Sequence, residues 1–163
     1  MAFDIFALVA GTTHPEDDVE IYMDNAAAYR VRKIEETLNR DRNLTNKELA
    51  ALEKEEKDLQ KRLAASKVTV HLRGITQDRA AEIREKTPEK ENKLYDARMI
   101  REHWVYATDA NGEKSDISFT DDQMVKLLSD IPEESRQRLT RKVVELTFES
   151  ANFEAVERSA DFS

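Results

Sequence analysis

A strand that passes directly into a helix is the feature that most restricts the folds open to this chain. It lies at residues 68–88, with the sequence V-T-V-H-L-R-G-I-T-Q-D-R-A-A-E-I-R-E-K-T-P. Val68, Val70 and Leu72 alternate with polar residues, as in a half-buried strand. Gly74 ends this alternation, a helix begins at once, and a proline ends the helix. No active-site pattern lies beside this unit, which favours a protein that acts by binding other proteins.

Composition favours helices for most of the remaining chain. The 163 residues include 3 glycines and 3 prolines, and a turn-rich all-β fold uses both residue types often. Hydrophobic residues make up 39% and charged residues 37% of the chain. The hydrophobic residues recur with helical spacing, so the chain is polar but is predicted to fold. We predict one mainly α domain over residues 1–163, with sub-regions 1–66 and 67–163.

The first sub-region is predicted to contain a short strand near residues 19–23, followed by two antiparallel helices that form a hairpin. Asp24 or Asn25 can cap the first helix by accepting a hydrogen bond from a free backbone N–H. Thr45 and Glu48 form a T-x-x-E capping box at the start of the second helix. A short polar loop between the helices completes the predicted hairpin.

An apolar stripe along this hairpin is the candidate partner-binding surface. Two interpretations stay open: the stripe packs on the rest of the domain, or part of it remains exposed as a docking surface or dimer seam. Packing is the usual role of such a stripe. Glu56 interrupts the pattern, which favours an amphipathic hairpin over a long coiled coil. The candidate residues are Val31, Ile34, Leu38, Leu49, Leu52, Leu59 and Leu63.

The second sub-region is predicted to be a compact helical cluster that follows the strand at residues 68–73. A helix over residues 91–107 would place Trp104 on its apolar face, and D-A-N-G at 109–112 is a turn signal. T-x-x-Q at 120–123 indicates the start of a further helix. The predicted fold class is therefore mainly α, with an N-terminal helical hairpin, one or two short strands and a C-terminal helical cluster.

No residue pattern predicts a catalytic, cofactor-binding or metal site. The chain has no cysteine, which excludes disulfides, thiolate zinc sites and cysteine nucleophiles. His14, His71 and His103 lack the i, i+4 spacing of histidines that bind zinc from one helix. Asp121 and Asp122 are expected in the first turn of a helix, where negative charge interacts favourably with the helix dipole. We therefore expect a non-enzymatic protein.

Charge argues against a nucleic acid partner, and the length of the apolar runs argues against a membrane partner. The net charge is -8, and no concentrated basic face for phosphate binding is visible in the sequence. No apolar run approaches the roughly 20 residues that span a bilayer, and the first residues lack the basic region of a secretory signal. We expect a soluble, intracellular protein. Residues 1–24 contain no Lys or Arg, and their acidic residues are Asp4, Glu16, Asp17, Asp18, Glu20 and Asp24.

The order of four segments carries a resemblance to a known family. They are P-E-D-D-V-E-I-Y-M-D-N at 15–25, the strand–glycine–helix–proline unit at 68–88, I-R-E-H-W-V-Y-A-T-D-A-N-G at 100–112, and F-T-D-D-Q-M-V-K-L-L-S-D-I-P at 119–132. In this order they resemble the tail assembly chaperones of long-tailed bacteriophages, particularly those of actinobacterial siphophages. The Lys- and Glu-rich segment 39–67 departs from the family's pattern.

The resemblance implies a late viral protein of the host cytoplasm that takes part in tail assembly and is absent from the mature virion. Such chaperones hold the tape measure protein soluble and help to recruit tail tube protein, and many also exist as a longer frameshift product. The family has no catalytic residues, and a homo-oligomer is compatible with it. The alternative is a structural virion protein, such as a head–tail connector component, that remains in the particle.

Overall fold

The computed structural model describes residues 2–10, 14–41, 43–149 and 157–158 of the chain. The principal elements among these residues are seven helices and four strands, which confirms the mainly α prediction. In chain order they are α1 (Ile5–Ala10), β1 (Glu16–Tyr22), α2 (Asn25–Arg40), α3 (Asn46–Ala65), β2 (Lys67–Arg73), α4 (Gln77–Glu85), α5 (Asn92–His103), β3 (Trp104–Asp109), β4 (Lys114–Ser115), α6 (Asp121–Asp130) and α7 (Glu133–Phe148).

The four strands form one antiparallel sheet in the order β1-β2-β3-β4. At its centre Val70 is paired with Val19 on one side and with Ala107 on the other. Because side chains alternate along a strand, these residues lie on one face of the sheet, together with Ile21 and Leu72. All five are buried, so this is the face on which the helices pack.

The sheet corrects the prediction of one or two short strands. Residues 91–107 do not form one helix: α5 ends at His103, and Trp104 begins β3. The sequence of β3, W-V-Y-A-T-D, is rich in aromatic and β-branched residues, and its pairing with β2 satisfies its backbone groups. The predicted turn is present, with Gly112 at φ 84°, and it joins β3 to β4.

The helices of the second half cover the inner face of the sheet. We call the sheet together with α4, α5, α6 and α7 the body. It corrects the prediction of one strand and a separate helical cluster over residues 67–163, because these helices share one core with a four-stranded sheet. The buried core residues of the body are Val19, Ile21, Val70, Leu72, Ala80, Ile83, Ala97, Met99, Ile100, Ala107, Met124, Leu128, Ile131, Leu139, Val143 and Leu146.

Helix α7 also covers the free edge of β1. The Tyr22 N–H donates to Ser135 Oγ (2.9 Å), and the Ser135 hydroxyl donates to the Tyr22 carbonyl (3.0 Å). Arg138 Nη1 donates to the carbonyl of Glu20 at 3.1 Å. These bonds occupy edge groups of β1 that could otherwise pair with another strand. Ser135 is buried, so its hydroxyl replaces water as the partner of this edge.

The predicted hairpin lies between β1 and β2. The carboxylate of Asp24 accepts from the Ala27 N–H at 2.9 Å and caps α2, as predicted. Arg62 Nε contacts Asp24 Oδ2 at 2.6 Å, and Arg30 Nε contacts Glu55 Oε1 at 2.7 Å. The start of α2 therefore lies beside the end of α3, so the two helices are antiparallel. We call α2 and α3 the hairpin.

Candidate functional site

Of the seven predicted binding residues, two are buried and five are at least partly exposed to solvent. Val31 is 9% exposed and Ile34 is 1% exposed, so packing accounts for these two. Leu49 is 37% exposed, and no residue of α3 is buried. The other four members, Leu38, Leu52, Leu59 and Leu63, are half-buried. The structure thus brings the stripe together in the seam of the hairpin and leaves the leucines of α3 partly accessible.

The shallow burial of α3 follows from the position of the hairpin. The two helices pack mainly against each other, and none of their described residues belongs to the core of the body. A seam between two helices covers one side of each stripe and leaves its flanks open. Glu56, which interrupts the apolar spacing of α3, is half-buried.

The N-terminal apolar segment, residues 2–8, is the most exposed apolar surface of the described chain. Phe3 is 78% exposed and Phe6 is 84% exposed. Two further large side chains, Ile5 and Leu8, are 56% and 64% exposed. Contiguous apolar side chains displayed in this way are typical of an interaction site.

Asp4 organises this segment locally. Its carboxylate Oδ1 accepts from the N–H of Phe6 at 2.9 Å and from the N–H of Ala7 at 3.3 Å. These bonds satisfy free amides at the start of α1. The segment carries one acidic residue, Asp4, and no Lys or Arg. Every helix among the described residues is too short or too polar to cross a bilayer.

His71 lies in an ionic cluster on the outer face of the sheet. Its Nδ1 is 2.6 Å from Asp18 Oδ1, and its Nε2 is 3.0 Å from Glu16 Oε1. The hydrogen bond to Asp18 raises the pKa of His71 most, and the bond to Glu16 raises it further. The ring also stacks on Tyr106 with centroids 4.7 Å apart, and Lys114 Nζ lies 4.1 Å from the Tyr106 ring centroid. The cluster holds β1, β2 and β3 together on the solvent side.

His103 is fully buried and joins three parts of the body. Its Nδ1–H donates to the carbonyl of Met99 at 2.6 Å, and the Thr147 hydroxyl donates to its Nε2. The N–H of Ile75 in turn donates to Thr147 Oγ1 at 3.2 Å. Burial lowers the pKa of His103, because a charged ring would lose its hydration. With both ring nitrogens occupied, this histidine has a structural role.

A cleft of about 430 Å³ between α5, α6 and the start of α7 contains a half-buried carboxyl group, that of Asp96. Burial raises the pKa of Asp96, while the charges of Arg136 and Arg84 oppose this shift. The cleft's other carboxylate, Glu133, is paired with Arg136 at 3.2 Å. Among the described residues, no group of three His, Cys, Asp or Glu side chains could hold a metal ion.

The exposure of the N-terminal segment was not predicted from the sequence, and Trp104 was predicted on a helix although it begins β3. Four large apolar side chains between residues 3 and 8 were the signal for the first, and the aromatic and β-branched residues at 104–108 were the signal for the second. No family model, curated protein or solved structure matches the chain. The described residues place exposed apolar side chains on a protein of net charge -8.

Proposed function

We propose that this protein is a non-enzymatic tail assembly chaperone of a long-tailed bacteriophage. In this proposal it binds the tape measure protein and tail tube protein in the host cytoplasm and is absent from the mature virion. The order of the four segments in the sequence is the basis for this family. The observation that carries the binding role is the exposure of Phe3 (78%) and Phe6 (84%) on the N-terminal apolar segment.

The physical argument concerns the tape measure protein. A long helical protein with an apolar face tends to self-associate before a tail forms around it. Apolar side chains such as those of the N-terminal segment can cover part of that face, since burial of apolar area favours association. The net charge of -8 would then add electrostatic repulsion between complexes and keep them in solution.

The open side of the hairpin supplies a second contact in this proposal. The leucines of α3 are partly exposed, whereas Val31 and Ile34 are buried by the seam. A helical partner can extend the two-helix seam by packing on the flank of α3. The members proposed for this contact are Leu49, Leu52, Leu59 and Leu63.

Co-expression with the tape measure protein of the same phage tests the proposal. We expect the tape measure protein to be soluble with the unaltered chain and largely insoluble with the double variant Phe3→Ser/Phe6→Ser. The control is Val144→Ser/Phe148→Ser, which alters apolar side chains that are 42% and 45% exposed on α7 and should leave the tape measure protein soluble. A tape measure protein that stays insoluble with the unaltered chain would contradict the proposal.

Mass spectrometry of purified virions separates this role from the alternative. An assembly chaperone should be missing from the particle. A stoichiometric presence of the chain in virions would instead indicate a structural protein such as a head–tail connector component.

A further inference from the structure

A second apolar surface lies on the body, away from the N-terminal segment and the hairpin. It is a groove of about 570 Å³ beside β3, β4 and α6, which we call the tryptophan groove. Trp104 and Phe119 meet edge to face within it, with ring centroids 5.2 Å apart. Both rings are half-buried, and Ile117 at its side is 67% exposed. Its apolar lining consists mainly of Met23, Val68, Trp104, Ile117, Phe119 and Leu127.

The rim of this groove is acidic. Asp109, Glu113 and Asp116 contribute three carboxylates, and Lys114 contributes the one basic side chain of the lining. None of the three carboxylates forms an ion pair with another described side chain. Asp109 accepts the N–H groups of Asn111 and Glu113 within the turn, both at 2.9 Å. Lys114 is directed to the ring of Tyr106, on the outer face of the sheet.

The acidic charge of the rim determines which partner fits. When an apolar side chain of a partner enters the groove, the neighbouring residues of that partner lie over the rim. Lys or Arg at those flanks would pair with the carboxylates of Glu113 and Asp116, whereas Asp or Glu would meet like charge. Aromatic side chains surrounded by polar residues are also the usual centre of a protein interface.

We propose that the tryptophan groove receives a basic, amphipathic helical segment of a partner protein. An apolar side chain of that helix lies against Trp104 and Phe119, and its Lys or Arg residues lie over Glu113 and Asp116. The inference deepens the proposed function and rests on it for the helical nature of the partner. The N-terminal segment of a second copy fits less well, because it offers Asp4 and no basic side chain to an acidic rim.

Trp104 makes the test direct, because it is the one tryptophan of the chain. The probe is a synthetic 14-residue peptide of leucine and lysine with helical spacing and no aromatic residue. A matched peptide carries glutamate in place of lysine. We expect the Leu/Lys peptide to change the Trp104 emission saturably and the Leu/Glu peptide to leave it unchanged.

Variants distinguish the groove from general attraction to an acidic protein. Glu113→Gln/Asp116→Asn should weaken binding of the Leu/Lys peptide about tenfold at low ionic strength, because it removes two rim charges. The control Asp78→Asn/Glu85→Gln removes the same charge from exposed positions of α4 and should weaken binding less than about twofold. Ile117→Ser should also weaken binding while the circular dichroism spectrum and thermal midpoint stay unchanged.

Three results would overturn the inference. The first is unchanged Trp104 emission with the Leu/Lys peptide, and the second is equal weakening by the rim variant and its control. The third is a concentration-dependent emission change without peptide that Phe3→Ser/Phe6→Ser abolishes, because a second copy would then occupy the groove. If the peptide binds but the tape measure protein stays insoluble on co-expression, the assembly role is wrong and the inference about the groove stands. If the tape measure protein is soluble on co-expression but the peptide does not bind, the inference about the groove is wrong and the assembly role stands.

Discussion

The hairpin and the body bury their apolar side chains to different depths. In the body, residues such as Leu139, Leu72 and Val70 are fully buried between helices and sheet. In the hairpin, α2 has three buried residues and α3 has none. Ion pairs with exposed arginines, such as Arg30–Glu55, lie along the hairpin, whereas the body has an internal hydrogen-bond network around His103.

The difference indicates a division of roles within one chain. Apolar burial is the main source of stability, so the body should determine whether the protein folds. The hairpin should open locally at a lower free energy, because little of its surface is removed from water. A region with partly open leucines and low local stability can adjust its packing to a partner helix.

Equal truncations in the two regions should give the largest contrast. Leu139→Ala should lower the free energy of unfolding by about 2–5 kcal/mol, because Leu139 is fully buried and its loss leaves a cavity. Leu59→Ala, at a half-buried position of α3, should cost about 1 kcal/mol or less. Urea unfolding followed by circular dichroism measures both. Losses of the same size would remove the proposed difference between body and hairpin.

A substitution at Gly74, where the chain leaves β2 close to α7, should lower the free energy of unfolding by nearly as much as Leu139→Ala. A Cβ at Gly74 would lie 2.6 Å from the carbonyl oxygen of Leu146, so Gly74→Ala should destabilise the body by about 1–3 kcal/mol. The control is Gly112→Asn, in the turn after β3. That position is open and has φ 84°, which asparagine tolerates, so the loss should be under about 1 kcal/mol. A neutral Gly74→Ala would contradict the close approach of α7.

Loss of the cap on α2 should affect the hairpin and spare the body. Asp24→Ala should cost about 1 kcal/mol, because the Ala27 N–H loses its acceptor and Arg62 loses its partner. Asp24→Asn is the matched control, since its side chain still caps the helix. Amide exchange in residues 25–65 should become faster in Asp24→Ala, with β2 and α7 unchanged. Faster exchange throughout the chain would show that the two regions unfold together.

His71 and His103 should give the smallest and most specific effect, a change of stability with pH. The lowered pKa of His103 makes the neutral ring the folded form, so its contribution is complete above about pH 6.5 and falls as the pH decreases below that value. The raised pKa of His71 acts in the opposite direction: its contribution is complete below about pH 6.5 and is lost as the pH rises.

Thermal unfolding between pH 7 and 5.5 separates these contributions. The variant His71→Asn should lose more stability on acidification than the unaltered chain, because the opposing contribution of His71 is gone. If His71→Asn lost less stability on acidification than the unaltered chain, the pKa of His71 would not be raised by Asp18 and Glu16 as assigned here.

The same comparison explains which parts of the fold were predictable from the sequence. The caps at Asp24 and Thr120 and the hairpin itself are present as predicted, because a cap or a helical stripe depends on residues within a few turns. Strand β3 was missed, since Trp104–Asp109 continues the apolar spacing of α5 and becomes a strand by pairing with β2. That pairing joins distant parts of the chain and has no local signature.

The candidate surfaces were predictable only in part for a related reason. The spacing of apolar residues identifies the stripe of the hairpin but does not show how deeply each side chain is buried. That burial depends on how much of α2 is covered by α3. Val31 and Ile34 prove to be buried, while Leu49 is 37% exposed. Similarly, the apolar lining of the tryptophan groove comes from strands, a loop and α6, so no single stretch of sequence displays it.

Hydrogen exchange of the free protein in increasing low concentrations of urea tests the division between hairpin and body most directly. Amides of α3 should exchange through local opening, with rates that depend weakly on urea, because little surface is exposed. Amides of β2, α5 and α7 should exchange only through global unfolding, with a steep dependence on urea. One common urea dependence for α3 and the body would contradict the account, because the chain would then unfold as a single unit.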